Sequence, residues 1–363
     1  MFFRSLFHRR KFRAVWCGLL LLSCCQLVWR VEVCGQSGRK SQTPEANQAE
    51  AGQSEEVDDV VRVRTDEVLL PVSVRDWSGT SINGLNRDDF IVYDEGVRQQ
   101  ISSFNRQRVA ANIVLLLDAS GSVFQEMRFI REAGKGFIEG LLPADKVCLM
   151  QFADKVELLQ DWTAASDQAA LEKALDWRYH PGESTTFYDG LYLAADEQLR
   201  KVEGRRIIIL LTDGIDTAER KRAGYDDALK AVRRADASVY VVSLTGMLRE
   251  MLQRRAGGRV TQTLLRGYDP KQVGRFLNLI NNSEKQLATL AAQTGGRLFL
   301  PLKDEDLAVA YRAIAEELRA QYIITYRPTP PVSAGQWRRV RVLVLPGGYE
   351  VGAREGYTGR GER

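Results

Sequence analysis

The spacing of apolar residues marks a central segment in which strands and helices alternate. From about residue 110 to residue 320, short apolar runs alternate with longer stretches in which apolar residues recur every three or four positions. The apolar runs predict strands at residues 113–117, 147–152, 206–211, 239–244 and 297–300. The longer stretches predict helices at residues 124–142, 166–177, 189–201, 226–235, 284–294 and 304–321. This pattern predicts an α/β domain at 110–320 with a doubly wound, mostly parallel sheet, and an antiparallel edge strand at 156–162.

The segments on either side of this domain alternate apolar and polar residues with a period of two, as at Leu70 and Val72. Residues 60–108 form one such segment and residues 321–353 form the other. Because about 50 residues bury little core by themselves, we expect the two segments to build one small β-sandwich-like module together. The last residues, 354–363, are predicted to be a flexible tail.

Residues 246–282 break the alternation within the α/β domain. Glycine-containing turns and an excess of basic residues separate this stretch from the strands and helices around it. We therefore expect an insertion or a lid-like loop on the domain, with a short basic helix near residues 247–255.

The first 35 residues have the layout of an export leader. Basic residues up to Arg13 precede an uncharged, mostly apolar run from residue 14 to residue 29. This run is shorter than the ~20 residues that span a bilayer as a helix, so residues 1–35 are either a cleaved signal peptide or a retained N-terminal membrane anchor. Both alternatives predict an exported protein, whether secreted, periplasmic or attached at the cell envelope. Residues 36–59 are polar, lack aromatic residues and are predicted to be a flexible linker.

Charge and cysteine content change once the leader is set aside. The whole chain has a formal charge of +4 and five cysteines. Residues 1–35 contain six basic residues, one acidic residue and four of the cysteines, which leaves 45 basic and 46 acidic residues and Cys148. We therefore expect no intramolecular disulfide and no nucleic-acid partner, and we interpret Cys148 as a buried core residue.

Oxygen-bearing side chains stand at the ends of predicted elements of the α/β domain. They are Asp118, Ser120 and Ser122, the run Ser184-Thr185-Thr186, and Asp213 within Thr212-Asp213-Gly214. Because ligand sites of open α/β sheets lie beyond the carboxyl ends of the strands, we expect these side chains to converge. A set of oxygen donors suits a hard cation, and Mg²⁺ in particular.

These residues resemble the signature of a known family, the von Willebrand factor type A domain with its metal-ion-dependent adhesion site. That signature is Asp-x-Ser-x-Ser followed by a Thr and an Asp, and this chain has all five in order. The spacing to Tyr188 and Asp189 matches Thr185 better than Thr186. The resemblance covers about residues 110–320, and the flanking β segments are similar to those of exported bacterial proteins with a related domain.

The resemblance implies a coordination scheme and a function. The hydroxyl groups of Ser120, Ser122 and Thr185 would bind Mg²⁺, or Mn²⁺ or Ca²⁺ in its place. Asp118 and Asp213 would act mainly through water molecules and would hold the serines. The sixth position would stay open for an Asp or Glu carboxylate of a protein partner. We therefore expect an exported, metal-dependent protein-binding protein and not an enzyme.

Two other functions fit parts of the sequence. One is a phosphatase-like hydrolase that uses Asp118, although such enzymes need a second acid where Ser120 stands. The other is a structural envelope protein in which the metal site is vestigial. A serine hydrolase is disfavoured because Ser120 lacks a Gly-x-Ser-x-Gly motif and His180 is the only histidine outside the leader. A P-loop is excluded because its motif is absent.

Overall fold

The computed structural model describes residues 67–106, 109–218, 222–250 and 270–359. The predicted leader at 1–35 and the predicted linker at 36–59 lie outside these residues, as do residues 251–269 of the expected insertion. Among the helices of the described part, none has the length and the hydropathy needed to cross a membrane.

Strands and helices are numbered here in chain order. The strands are β1 (Val68–Arg75), β2 (Phe90–Asp94), β3 (Val97–Gln99), β4 (Ile101–Asn105), β5 (Ala111–Asp118), β6 (Lys146–Phe152), β7 (Val156–Ala164), β8 (Arg205–Thr212), β9 (Ser238–Ser243), β10 (Leu298–Phe299), β11 (Tyr322–Tyr326), β12 (Trp337–Val344), β13 (Glu350–Gly352) and β14 (Gly356–Thr358). The helices are α1 (Met127–Glu139), α2 (Gln168–Arg178), α3 (Phe187–Leu193), α4 (Tyr225–Arg234), α5 (Pro270–Gln293) and α6 (Asp304–Ala320). Residues 245–250 are also helical.

The central sheet of the described residues has six strands in the order β10-β9-β8-β5-β6-β7. Neighbouring strands from β10 to β6 are parallel, and β7 pairs antiparallel with β6 at the edge. All eight residues of β8 are buried, as expected for a strand covered on both faces. The chain runs from β5 to β6 on one side and later to β8 on the other, so the strand order reverses at β5. The predicted doubly wound, mostly parallel sheet is confirmed.

Helices cover both faces of this sheet because successive residues of a strand point to opposite sides. On one face, Ile113, Leu115 and Leu117 of β5 lie in a core that also contains residues of α1, α2 and α6. On the other face, Val114 and Leu116 lie in a core with residues of α3, α4 and α5. The two cores hold β5 from both sides and thereby position the loop that follows it.

The segments that flank the domain form two antiparallel four-stranded sheets. One has the order β13-β1-β11-β4 and the other the order β14-β12-β2-β3, so each sheet contains strands from both flanking segments. Leu70 of β1 is opposite Ile324 of β11, and Val92 of β2 is opposite Val342 of β12. These four side chains belong to one buried core between the sheets. The predicted sandwich of N- and C-terminal flanking segments is confirmed.

The prediction of an insertion is wrong for residues 270–282, which belong to a helix of the domain. Helix α5 begins at Pro270, well before the predicted start at residue 284. Proline is well suited to the first turn of a helix, where its missing N–H costs no hydrogen bond. Ile280 is fully buried and extends the apolar face of the predicted helix. Gly274 and the polar residues near it weaken the helical pattern in the sequence, which explains the error.

The prediction of a flexible tail at 354–363 is also wrong for the residues that the structure describes. Strand β14 pairs with β12, and Tyr357 in it is only 4% exposed. The sequence suggests a frayed end because it is rich in glycine. Gly356 is instead required by close approach, since a Cβ at that position would lie 2.4 Å from the carbonyl oxygen of Arg338. Residues 360–363 lie outside the described part.

Candidate metal centre

The candidate site lies at the carboxyl end of the central sheet, where the strand order reverses. Asp118 is the last residue of β5, and Asp213 directly follows the neighbouring strand β8. After Asp118 the chain passes through a 3₁₀ turn, Gly121–Val123, which contains Ser122. This is the position at which doubly wound sheets bind ligands.

One chain of hydrogen bonds joins four of the five predicted residues. Ser120 Oγ donates to Asp118 Oδ1 at 2.5 Å and lies 3.0 Å from Ser122 Oγ. Ser122 Oγ in turn donates to Asp213 Oδ2 at 2.8 Å. Ser122 is exposed, whereas Asp118, Ser120 and Asp213 are buried. The cluster is therefore open to solvent at Ser122.

Three residues outside the predicted set hold the two carboxylate residues in place. Thr212 Oγ1 donates to Asp118 Oδ2 at 2.7 Å, and the hydroxyl of Tyr179 donates to the carbonyl oxygen of Asp118 at 2.5 Å. Ser283 Oγ donates to the carbonyl oxygen of Asp213 at 2.6 Å. Thr212 can be identified from the sequence, because it stands next to Asp213. Tyr179 and Ser283 are 61 and 70 residues from their acceptors and leave no local signal.

Thr185 is connected to the site through its backbone. Its N–H donates to Thr217 Oγ1 at 3.0 Å, and its carbonyl oxygen accepts from the N–H groups of Thr217 and Ala218 at 3.1 Å. These contacts place Thr185, which is 3% exposed, against the loop that follows Asp213. The alternative residue, Thr186, donates its N–H to another segment, and its buried hydroxyl has no partner among the described residues.

Residues 112–273 match the family model for the von Willebrand factor type A domain. This chain contains a von Willebrand factor type A domain. The match begins in β5 and ends in α5, so it includes all five predicted site residues. A comparison with curated proteins finds no match.

Solved structures similar to the chain come from animals and bacteria. Proximal thread matrix protein 1 from the mussel byssus is 15% identical, with 61% of this chain and 50% of that one covered and a TM-score of 0.43. A von Willebrand factor type A structure from Catenulispora acidiphila is 14% identical, with 81% and 73% covered and a TM-score of 0.44. An aerotolerance-related membrane protein from Bacteroides fragilis is 17% identical, with 58% and 98% covered and a TM-score of 0.40. The chain thus spans half the length of the mussel protein.

The von Willebrand factor type A domain of this chain buries two carboxyl groups side by side. Asp118 is 0% exposed and Asp213 is 1% exposed. Burial raises the pKa of both carboxyl groups, and the charge of Asp213 raises the pKa of Asp118 further, to about 7. Among the described residues, no Lys or Arg side chain forms an ion pair with either carboxylate. Two neighbouring buried negative charges are costly unless a cation accompanies them, so the site is suited to a cation.

The donor atoms of the site agree with a hard metal ion. Within the described ranges, no group of three or more His, Cys, Asp or Glu side chains could hold a metal. A metal at this site would therefore depend on hydroxyl oxygens in addition to the two carboxylates. Such a set of oxygen donors suits Mg²⁺, Mn²⁺ or Ca²⁺ better than metals that prefer sulfur or nitrogen.

Other polar residues of the domain lie around the site or away from it. His180 is exposed, and its backbone N–H donates to the side chain of Gln151. Asp189 accepts from the N–H groups of two residues near the start of α4, and Asp216 accepts from the N–H of Ala218. Both acids therefore stabilise loops of the domain. Cys148 is buried, and burial raises the pKa of its thiol to about 12, so it is an unreactive core residue.

Proposed function

We propose that this chain is an exported protein whose von Willebrand factor type A domain binds a carboxylate of a protein partner through Mg²⁺. Ser120, Ser122 and Thr185 would hold the ion, and Asp118 and Asp213 would balance its charge. Bound there, Mg²⁺ supplies a positive charge and a ligand position for a carboxylate oxygen. The role of the described residues is to hold these donors together and to leave Ser122 accessible.

The observation that carries this proposal is the pair of buried carboxylates linked through two serine hydroxyls. Hydrogen bonds alone offset only part of the cost of burying two like charges. A divalent cation would offset the remainder. Ser122, the exposed residue of the chain of hydrogen bonds, gives a partner access to the ion.

An exposed aromatic residue beside the site supports a protein as the partner. Phe124 is 61% exposed, although Val123 before it is 1% exposed. Exposed aromatic side chains contribute strongly to protein interfaces once they are buried by a partner. A partner segment with an acidic residue next to an apolar residue would contact the ion and Phe124 together.

The geometry favours binding over hydrolysis by Asp118. Both carboxylate oxygens of Asp118 accept hydrogen bonds, Oδ1 from Ser120 and Oδ2 from Thr212, and the side chain is completely buried. A nucleophile needs an exposed oxygen within reach of its substrate. A vestigial metal site is also disfavoured, because each position of the signature retains its oxygen donor.

A pull-down with the immobilised full chain, using an extract of the native cell envelope, tests the function. We expect a partner to bind in Mg²⁺, to be released by a chelator, and to be lost with Ser122→Ala. Ser78→Ala removes an exposed serine from a turn of the β module and serves as the matched control. Capture that is the same with chelator as with Mg²⁺ would contradict metal-dependent binding.

A further inference from the structure

An exposed carboxylate holds the loop that contains Thr185. Asp154 lies in the turn between β6 and β7, and its Oδ1 accepts from the N–H of Ser184 at 2.9 Å and from Ser184 Oγ at 2.8 Å. The N–H of Glu183 also donates to Asp154, at 3.2 Å. These donors are 29 and 30 residues away in sequence, so Asp154 connects two separate loops at this end of the sheet.

The two loops fit closely against each other. A Cβ at Gly182 would lie 2.6 Å from Ala153 Cβ and 2.8 Å from Asp154 Oδ2, so only glycine fits there without a shift. The N–H of Thr186 donates to the carbonyl oxygen of Ala153 at 2.9 Å. The N–H of Gly182 donates to the carbonyl oxygen of Ala119 at 2.8 Å, in the loop of the two serines. The loop at 182–186 is therefore fixed at both of its ends.

A second contact acts on Thr185 itself. Thr217 Oγ1 accepts from the N–H of Thr185, and the N–H of Thr217 donates to the carbonyl oxygen of Thr185. The backbone of Thr185 is thus bonded on both its polar groups to a residue of the loop that begins at Asp213. The position of the Thr185 hydroxyl depends on these backbone contacts because its side chain is short.

We propose that Asp154 and Thr217 are positioning residues that hold Thr185 in place for metal binding. This inference rests on the proposed metal site, since it assigns to both residues an effect on the affinity for the ion. Asp154 acts through the backbone of the loop before Thr185, and Thr217 acts through Thr185 itself. Neither is assigned as a ligand: Asp154 accepts from Glu183 and Ser184, and Thr217 Oγ1 accepts from the N–H of Thr185.

Titration of the full chain with Mn²⁺, followed by the electron paramagnetic resonance signal of the free ion, tests the role of Asp154. We expect Asp154→Ala to weaken binding about 10-fold, the lower end of the effect of groups that orient metal ligands. Asp154→Asn should retain most of the affinity, because its amide oxygen still accepts from the N–H groups. Asp76→Ala is the matched control, since Asp76 accepts the same kind of bonds from Ser78 and Thr80 in the β module.

The same titration tests Thr217 with a pair of variants. Thr217→Val removes the hydroxyl that accepts from Thr185 and should weaken Mn²⁺ binding, whereas Thr217→Ser retains the hydroxyl and should restore it. Thermal unfolding shows that each variant is folded, and the Thr217 pair decides the outcome if Asp154→Ala does not fold. Unaltered affinity in Asp154→Ala and Thr217→Val would overturn this inference alone. Absence of Mn²⁺ binding by the unaltered chain would overturn the proposed function and this inference with it.

Discussion

At the scale of single residues, the site is defined by negative charge that is buried without a basic partner in the described part of the chain. Asp118 and Asp213 are removed from water but stay linked through Ser120 and Ser122. Both carboxyl groups have a raised pKa, for which burial is the main cause. This arrangement therefore destabilises the metal-free protein, and a bound cation would remove much of the destabilisation.

The raised pKa values predict how the stability of the metal-free protein depends on pH. In the unfolded chain Asp118 loses its proton near pH 3.8, but in the folded protein it keeps the proton up to about pH 7. Between these values the folded state binds more protons, so the free energy of unfolding falls as the pH rises. We expect the free energy of unfolding to fall by about 1 kcal/mol or more. The reason is that a tenfold difference in the acid dissociation constant between the folded and unfolded states corresponds to about 1.4 kcal/mol.

Urea denaturation at pH 5 and pH 7, with chelator present, measures this decrease. Asp118→Asn introduces a side chain that cannot ionise, so the free energy of unfolding of this variant should depend less on pH. The variant should also be more stable than the unaltered protein at pH 7. Added Mg²⁺ should reduce the decrease in the unaltered protein. An identical pH dependence in Asp118→Asn and the unaltered protein would show that the buried carboxyl groups do not cause it.

Residues of the site differ in how far the sequence alone predicts their placement. Asp118, Ser120 and Ser122 lie on one short loop, so their spacing along the chain nearly determines their spacing in space. The contact of Asp213 with Ser122 follows from the parallel pairing of β5 with β8. The sequence does not identify Tyr179 and Ser283 as residues of the site, because their hydrogen bonds arise from tertiary packing between residues far apart in the chain.

At the scale of elements, helix α5 packs directly on the loop that carries Asp213. Gly214 has a positive φ of 69°, and a Cβ there would lie 2.3 Å from Ser283 Oγ and 2.8 Å from Leu287 Cδ1. The same serine donates to the carbonyl oxygen of Asp213. Displacement of α5 would therefore disturb the site as well as the core. The sequence-based assignment of residues 270–282 to an insertion missed this contact between a helix and the site.

Two glycine substitutions test the position of α5. Gly214→Ala introduces backbone strain and a clash with α5, and we expect it to lower the free energy of unfolding by about 2 kcal/mol or more. Gly274 lies at an exposed position of α5 with open space around it. Gly274→Ala should therefore raise the free energy of unfolding by about 0.5 to 1 kcal/mol, because alanine favours the helix more than glycine does. Chemical denaturation measures both values. Destabilisation by Gly274→Ala would contradict a helix that begins at Pro270.

At the scale of the whole molecule, the β module and the α/β domain share buried polar contacts. Arg75 of β1 pairs with Glu317 of α6 at 2.7 Å, and both side chains are buried. Arg354, just before β14, pairs with Asp236 of the α/β domain at 2.6 Å. Because both ends of the chain build the module, a folded domain between them lowers the entropic cost of bringing its strands together. We therefore expect the two parts to unfold together in one transition.

Removal of a buried contact in the last strand tests this connection. Tyr357→Ala deletes a buried aromatic side chain whose hydroxyl donates to Asp94 at 2.8 Å, and we expect a loss of about 3 kcal/mol in the free energy of unfolding. Trp77→Ala, at a position that is 78% exposed in the same module, should change it by less than about 0.5 kcal/mol. Denaturation followed by fluorescence and by circular dichroism should give coincident curves. Separate transitions for the two signals would show that the parts unfold independently.

The overall architecture followed from the sequence because apolar runs and periodicity report directly which residues are buried. The mostly parallel, doubly wound sheet with its antiparallel edge strand and the joint module at both ends were predicted in this way, whereas the order of the strands came from the structure. The last strand was missed because glycine marks both frayed ends and close backbone approach, and only the neighbours in the fold, Arg338 and Trp337, distinguish the two at Gly356. Local sequence does not contain that information.

Calorimetric titration of the full chain with Mg²⁺ tests the central claim most directly. The account predicts saturable binding of one ion for each chain, with binding lost in Asp118→Ala and unchanged in the matched control Asp76→Ala. Absence of saturable binding by the unaltered chain, or the same affinity in Asp118→Ala, would contradict it.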